Sequence, residues 1–265
     1  MNNFLETIGI RLMEQIGGYP AYATGIGDLR SLIHNLRPFT TNHGLVRLGA
    51  SDDGGYLVPD DLDAIEACFS PGVASCSDFE VDCANRGMKV FMADKSVNAP
   101  VISHPKFNFL KKHIGAISQD DFITMEDWIE MALPGTTSDL MLQMDIEGAE
   151  YQTFLTTPIK ILNRFRIMVV EFHDLPRLWN LPYYSLASAA FDKILLNHVC
   201  VHIHPNNCCG AITRKGVTIP RIMEFTFLRK DRIQQKKMTT DFPHPLDRRN
   251  SGAFPELVLP SCWTS

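Results

Sequence analysis

Between residues 64 and 204 the chain repeats one pattern: a short apolar run closed by a polar or acidic residue, then a stretch of helical period. The runs are AIEACFSPG (64–72), MKVFMAD (88–94), FLKKHIGAIS (109–118), DLMLQMD (139–145), FRIMVVEF (165–172) and CVHIH (200–204). Runs this continuously apolar read as strands covered on both faces, the condition of a parallel sheet. Helical periodicity over Asp78–Gly87, Gly148–Leu155 and Tyr184–Asn197 supplies the covering layers. The alternation predicts an α/β fold with a doubly wound, mostly parallel sheet. An alternating stretch, MEFTFLRK (223–230), adds an antiparallel strand.

The flanks differ in texture. Phe4, Ile8, Leu12 and Ile16 recur at four-residue steps before a Gly17-Gly18-Tyr19-Pro20 stop, which predicts an N-terminal helical cap over 1–44. Asp52-Asp53-Gly54-Gly55 marks a turn, read either as a plain hairpin or as a loop that closes over a ligand. After residue 231 the chain turns polar and rich in proline, the pattern of a C-terminal surface tail (231–265), which leaves 45–230 as the central domain.

A chain of 265 residues that is 45% hydrophobic can build one large core. Lys and Arg number 25 against 30 Asp and Glu, and one short basic stretch, RKDRIQQKK (229–237), stands alone, so nucleic acid is not an expected partner. The seven cysteines are odd in number and lack paired spacing. With no apolar core of signal-peptide type at the start, this favours a reduced, cytoplasmic setting. No run approaches the roughly 18 apolar residues of a membrane span. The expected partner is a small-molecule or glycan acceptor, with a homo-oligomer left open.

In a doubly wound sheet, ligands bind beyond the carboxyl ends of the strands, where the strand order reverses. The residues closing each run are therefore the candidates: Ser70, Gly72 and Ser75 after the first, Asp94 after the second, Asp145 after the fourth, Glu171 and His173 after the fifth, and His204 after the sixth. Asp94 follows Gly72 at roughly the 20-residue offset of a carboxylate that binds a nucleotide ribose. A dinucleotide site wants G-x-G-x-x-G, whereas SPGVASCSDFE keeps one glycine. A phosphate-free ligand fits better, and S-adenosylmethionine, with an adenosine and a cationic sulfonium, suits an acid-lined rim.

Plainer roles compete for the same residues. Asp94 and Asp145 could each cap a helix. Glu147 and Glu150 read as first-turn acids on the helix dipole, with Glu147 supporting the turn. HIHPNN (202–207) could be a buried polar network that fixes a loop. Cys208 and Cys209 lack the spacing of a zinc site. Met141, Met144, Met168 and Met223 read as core filler.

The segments RLGASDDGGYLVP, FSPGVASCSDFE, VFMADKSV, LQMDIEGAEY, RIMVVEFHDL and HIHPNN resemble, in this order, the FkbM-like family of S-adenosylmethionine-dependent methyltransferases over residues 45–230. DIEGAE is the most specific of them, and Gly72 departs from the family pattern in lacking a second glycine. The resemblance implies a Rossmann-like class I methyltransferase fold with a seven-stranded sheet, Gly72 and its neighbours against the cofactor, Asp94 on the ribose hydroxyls and Asp145 near the methyl donor. It also implies methylation of oxygen, often on sugars or glycosylated products.

Transfer to a hydroxyl needs a proton acceptor or a metal that acidifies the hydroxyl. His173, flanked by Glu171 and Asp174, is the first candidate base and His204 the second. The metal version places Mg²⁺ among Asp145, Glu171 and His173. A nicotinamide-dependent oxidoreductase, a metal-dependent hydrolase and a binding module without turnover are the alternatives.

Overall fold

The computed structural model describes residues 20–73 and 76–264, together with residues 10, 13, 15, 17 and 18. Phe4, Ile8, Leu12 and Ile16, on which the N-terminal helix expectation rests, lie outside the described residues. The described chain opens with α1 (Ile26–Asn35), whose Leu29, Leu32 and Ile33 recur on one face and are buried. Next come β1 (Phe39–Thr41) and the antiparallel hairpin of β2 (Leu45–Leu48) and β3 (Tyr56–Pro59), joined through the Asp52–Gly55 turn.

The central region then alternates strand and helix. It runs through β4 (Ala67–Pro71), α2 (Asp78–Asn85), β5 (Lys89–Ala93), β6 (Phe107–Leu110), β7 (His113–Ile114), β8 (Phe122–Ile123), α3 (Met125–Ala132) and β9 (Leu140–Met144). It continues with α4 (Glu150–Thr156), α5 (Ile159–Leu162), β10 (Phe165–Phe172), α6 (Leu181–Leu195) and β11 (His198–Pro205). A small hairpin, β12 (Ala211–Arg214) with β13 (Val217–Pro220), leads into β14 (Met223–Arg229), and β15 (Lys236–Met238) follows.

Seven strands form one sheet in the order β11-β14-β10-β9-β4-β5-β6. The pairs from β10 to β6 are parallel, and β14 is antiparallel to both of its neighbours. This is the doubly wound, Rossmann-like architecture expected, with the antiparallel strand where MEFTFLRK predicts it. The chain winds outward from β4 through β5 to β6, then returns to place β9 on the other side of β4. The order therefore reverses between β4 and β9, and their carboxyl ends frame a crevice.

Alternation along the strands fills two cores, one on each face of the sheet. Phe69, Met168, Val170 and Phe172 point into the layer beneath α4 and α6, while Cys68, Ile167 and Val169 point toward α2. One predicted strand divides: the run at 109–118 contributes only its first residues to the sheet, the chain turns at Lys111-Lys112, and His113–Ile114 pairs instead with β8.

The C-terminal stretch is more than a surface tail. β15 pairs with β1, and Trp263 is fully buried in the same core as Phe225, its indole N–H donating to the Thr218 carbonyl at 3.1 Å. A single tryptophan among prolines has no periodicity to announce its burial. No helix among the described residues is long and apolar enough to cross a membrane.

Candidate functional site

Gly72 ends β4 with φ +91°, a conformation that favours glycine, and a Cβ there would sit 1.6 Å from the Asp145 carbonyl oxygen. The loops after β4 and β9 can close on one another only because this side chain is missing. The Asp145 N–H donates to the Pro71 carbonyl at 3.2 Å, and the Gly72 N–H donates to the Ala93 carbonyl at 3.0 Å, which stitches the ends of β4, β5 and β9 together.

Above this seam lies a cavity of about 390 Å³ whose lining includes Gly72, Asp94, Ser96, His113, Phe122 and Asp145. Asp94 is held by its own loop: Oδ2 accepts from the Val73 N–H at 2.9 Å, and Oδ1 accepts from the Ser96 N–H and hydroxyl at 2.7 and 2.6 Å. Oδ2 keeps a lone pair, and the Ser96 hydroxyl stands on the other carboxylate oxygen, a pairing suited to two adjacent sugar hydroxyls. The rings of His113 and Phe122, 5.5 Å between centroids and tilted 40° to one another, line one wall.

One residue predicted alongside them falls elsewhere. Ser70 is fully buried, its hydroxyl 2.5 Å from Glu80 Oε1 and 2.7 Å from Gln143 Oε1, so it braces the floor and does not line the cavity. Ser75 lies outside the described residues.

Asp145 also faces His173 at 3.7 Å, and of the acids in the DIEGAE segment Glu147 departs from the supporting role expected of it. Glu147 has φ +55°, in the left-handed region, and this turn sends its carboxylate back to 3.5 Å from His173 Nε2 although the side chain is 85% exposed. Glu150, fully buried, is the one that supports the turn: its Oε1 accepts from the Gly148 N–H at 2.9 Å and the Ile146 N–H at 3.3 Å. The same oxygen lies 3.1 Å from His173 Nδ1. A proton on Nδ1 therefore satisfies Glu150 and leaves the Nε2 lone pair facing Asp145 Oδ1 at 3.7 Å, Glu147 Oε2 at 3.5 Å and Glu171 Oε1 at 3.9 Å. Tyr151 donates to the His173 carbonyl at 2.8 Å and fixes the backbone that carries the ring.

The cluster carries more negative charge than it can neutralise. Asp145 Oδ1 and Glu171 Oε2 are buried without a hydrogen-bond partner among the described residues. Burial, with Glu147, Glu150 and Asp53 nearby, pushes the Asp145 carboxyl up to about 6. Burial and the fields of Asp145, Glu224 and Asp53 hold the Glu171 carboxyl well above the ordinary carboxylate range. For His173, burial disfavours the charged ring, but Glu150, Asp145 and Glu147 outweigh it and raise its pKa. Such a site favours a cation. Donor atoms of Asp145, Glu147 and His173 lie within 4.8 Å of one another, a set able to hold a divalent ion, while Glu171 from the expected set has Oε1 taken by Asn206 at 3.0 Å.

His204 does not join this cluster. It pairs in register with Glu224, which pairs with Glu171, so it stands two strands away. Its ring is buried against Asp247 and Glu256, each at 3.8 Å, and Asp247 also lies 2.9 Å from His202. Asn207 donates to the Ser251 and Phe254 carbonyls at 2.9 and 3.0 Å, and Asn250 donates to Glu224 Oε1 at 2.6 Å. HIHPNN thus straps the C-terminal stretch across the rim, the polar-network role. Glu147, Glu150, Glu224, Asp247 and Asn250 were not among the predicted site residues. The density of acids in 145–150 was the available signal, but only the left-handed turn at Glu147 decides which acid faces inward.

On the far side of Glu147 a second cavity, about 290 Å³, is lined by His173, Asp174, Arg177, Cys209 and Arg221 among others. Glu147 borders both cavities.

No protein-family model matches the chain, and no curated protein matches it with significance. Among solved structures it is similar to an E. coli prophage-encoded candidate DNA modification methyltransferase (10% identity, TM-score 0.41), the match covering 63% of this chain and 47% of that one. It is also similar to the N-methyltransferase NodS of Bradyrhizobium japonicum (7% identity, TM-score 0.33), covering 63% and 86%. The chain thus matches about half the length of the first of these. The fold assignment rests on the sheet order, not on these likenesses.

Proposed function

We propose that the chain is an S-adenosylmethionine-dependent methyltransferase acting on a hydroxyl of a carbohydrate or glycosylated small molecule. The observation that carries this reading is a single acid-lined cavity at the strand-order reversal, with Asp94 and Ser96 set for a sugar diol at one side and the unpartnered Asp145 carboxylate at the other. A nicotinamide dinucleotide would bring two phosphates against Asp94, Asp145 and Glu147, with no Lys or Arg in the lining to meet them.

When bound, the cofactor supplies an electrophilic methyl group on a cationic sulfur. Asp94 and Ser96 orient the sugar, and the His113–Phe122 wall takes the flat base. Asp145, with Glu147 beside it, sets a negative field where the positive charge rests. His173 Nε2 accepts the acceptor's hydroxyl proton while the oxygen takes the methyl, and Glu150 holds the tautomer that leaves Nε2 free. A cation held beside Asp145 would offset part of the field that keeps His173 protonated. Release of S-adenosylhomocysteine during incubation with a panel of hydroxylated sugars tests the reading, and a panel that releases none across neutral, acidic and glycosylated members opposes it.

The donor set of Asp145, Glu147 and His173 favours a second version of the same reaction, in which these three hold Mg²⁺ and the ion acidifies the hydroxyl. Treatment with a chelator separates the versions. Turnover that persists assigns the proton to His173, and turnover that stops and returns with Mg²⁺ assigns it to the metal.

A further inference from the structure

Resting on that reading, we infer that the methyl acceptor carries an oxyanion, a carboxylate or a phosphate, outward of its reacting hydroxyl, and that Arg221 and Arg214 recognise it. The cavity beside His173 shares Pro176, Arg177 and Arg221 with a neighbouring cavity of about 430 Å³ that reaches Trp179 and Arg214 on the β12–β13 hairpin. The shared lining makes one groove, acidic at its inner end and basic at its outer end.

The inner charges are Glu147 and Asp174, of which Asp174 is matched by Arg177 at 2.9 Å. Arg177 is further held over the Tyr183 ring at 4.5 Å. Arg214 and Arg221 are exposed and form no ion pair or side-chain hydrogen bond among the described residues. In a chain of net charge −5, two unmatched guanidinium groups lining one wall stand against the overall balance. Guanidinium forks bind carboxylate and phosphate through paired hydrogen bonds.

Two further observations support an oxyanion at the outer end. Trp179 lines the outer cavity, is 6% exposed, and its indole N–H has no acceptor among the described residues, so a buried donor there lacks a partner. The Arg221 backbone is pinned on both sides, its N–H donating to the Gly210 carbonyl at 2.9 Å and its carbonyl accepting from the Leu175 N–H at 3.2 Å, which sets the side chain on a fixed base. The chemistry matches a small hydroxylated anion. The chain's net charge of −5 disfavours a nucleic-acid backbone.

The test titrates the full chain, saturated with S-adenosylhomocysteine, with inorganic phosphate while the Arg side-chain Nε–H resonances are followed by NMR. The expected result is saturable binding that the double variant Arg214→Gln/Arg221→Gln weakens at least tenfold while its affinity for S-adenosylhomocysteine is unchanged. Glucose 6-phosphate and glucuronate, each compared with glucose, then separate phosphate from carboxylate as the favoured anion. Absence of saturable phosphate binding, or identical binding by the double variant, overturns the inference. So does a single-stranded oligonucleotide that outcompetes both sugars with a steep salt dependence. Failure of S-adenosylhomocysteine to bind the unaltered chain would instead strike the methyltransferase reading itself.

Discussion

His173 can take a proton only while Nε2 holds its lone pair, and its acidic surroundings work against that at low pH. Because Glu150, Asp145 and Glu147 raise its pKa, turnover is expected to climb with pH until the ring is neutral, at a point above the ordinary histidine value of about 6.5. His173→Ala is expected to lower kcat by about 10²–10⁴ with cofactor affinity retained; calorimetry on the variant checks the second half, and an equal loss of affinity would assign the ring a structural role. Asp145 gives a separate signature. With its carboxyl pushed up to about 6, it is ionised above that pH and neutral below it. Affinity for the cationic cofactor is therefore expected to fall as pH drops through about 6, while affinity for the uncharged sulfur of S-adenosylhomocysteine falls less. Matching pH profiles for the two ligands would show that Asp145 does not sense the sulfur.

At the scale of elements, the strands of the sheet are legible because burial on both faces leaves uninterrupted apolar runs, and Asp94 and Asp145 are legible because they end such runs. The inner architecture of the site is not. His173 is brought to the 145–150 turn by the pairing of β9 with β10, and neither apolar period nor residue spacing reports that Glu147 takes a left-handed conformation there. The opposite end of the strands holds another feature invisible to periodicity. Arg166, buried on β10, donates to Asp139 Oδ2 at 2.8 Å and to the Asp61 and Asp63 carbonyls at 3.0 and 2.7 Å, while Arg229 reaches Asp139 Oδ1 at 2.7 Å. Removing Arg166 leaves the Asp61 and Asp63 carbonyls without their donor, while Asp139 keeps Arg229 and Asp61 keeps Arg232. Arg166→Ala is expected to cost about 1–3 kcal/mol in urea unfolding. Because the network sits at the end of the strands away from the cavity, turnover per folded molecule should not change. A stability loss under 1 kcal/mol would mean that water replaces the guanidinium there.

Across the described residues, the segments on either side of the central domain meet at the sheet: β1 pairs with β15, Trp263 fills the core beside Phe225, and Asp247 and Asn250 reach back to β11 and β14. The cavity is thus built by the central domain and framed by segments whose composition alone reads as peripheral. Its defining property is an excess of carboxylates in the lining, and the proposed function depends on a cationic adenosyl ligand binding there. Isothermal titration of the purified chain measures this directly. S-adenosylmethionine should give a saturable isotherm that Asp94→Ala weakens by about 10–100-fold, the loss of a charge-assisted hydrogen bond to the sugar, and NAD should give no heat of binding. A clean isotherm from NAD with none from S-adenosylmethionine would contradict the account.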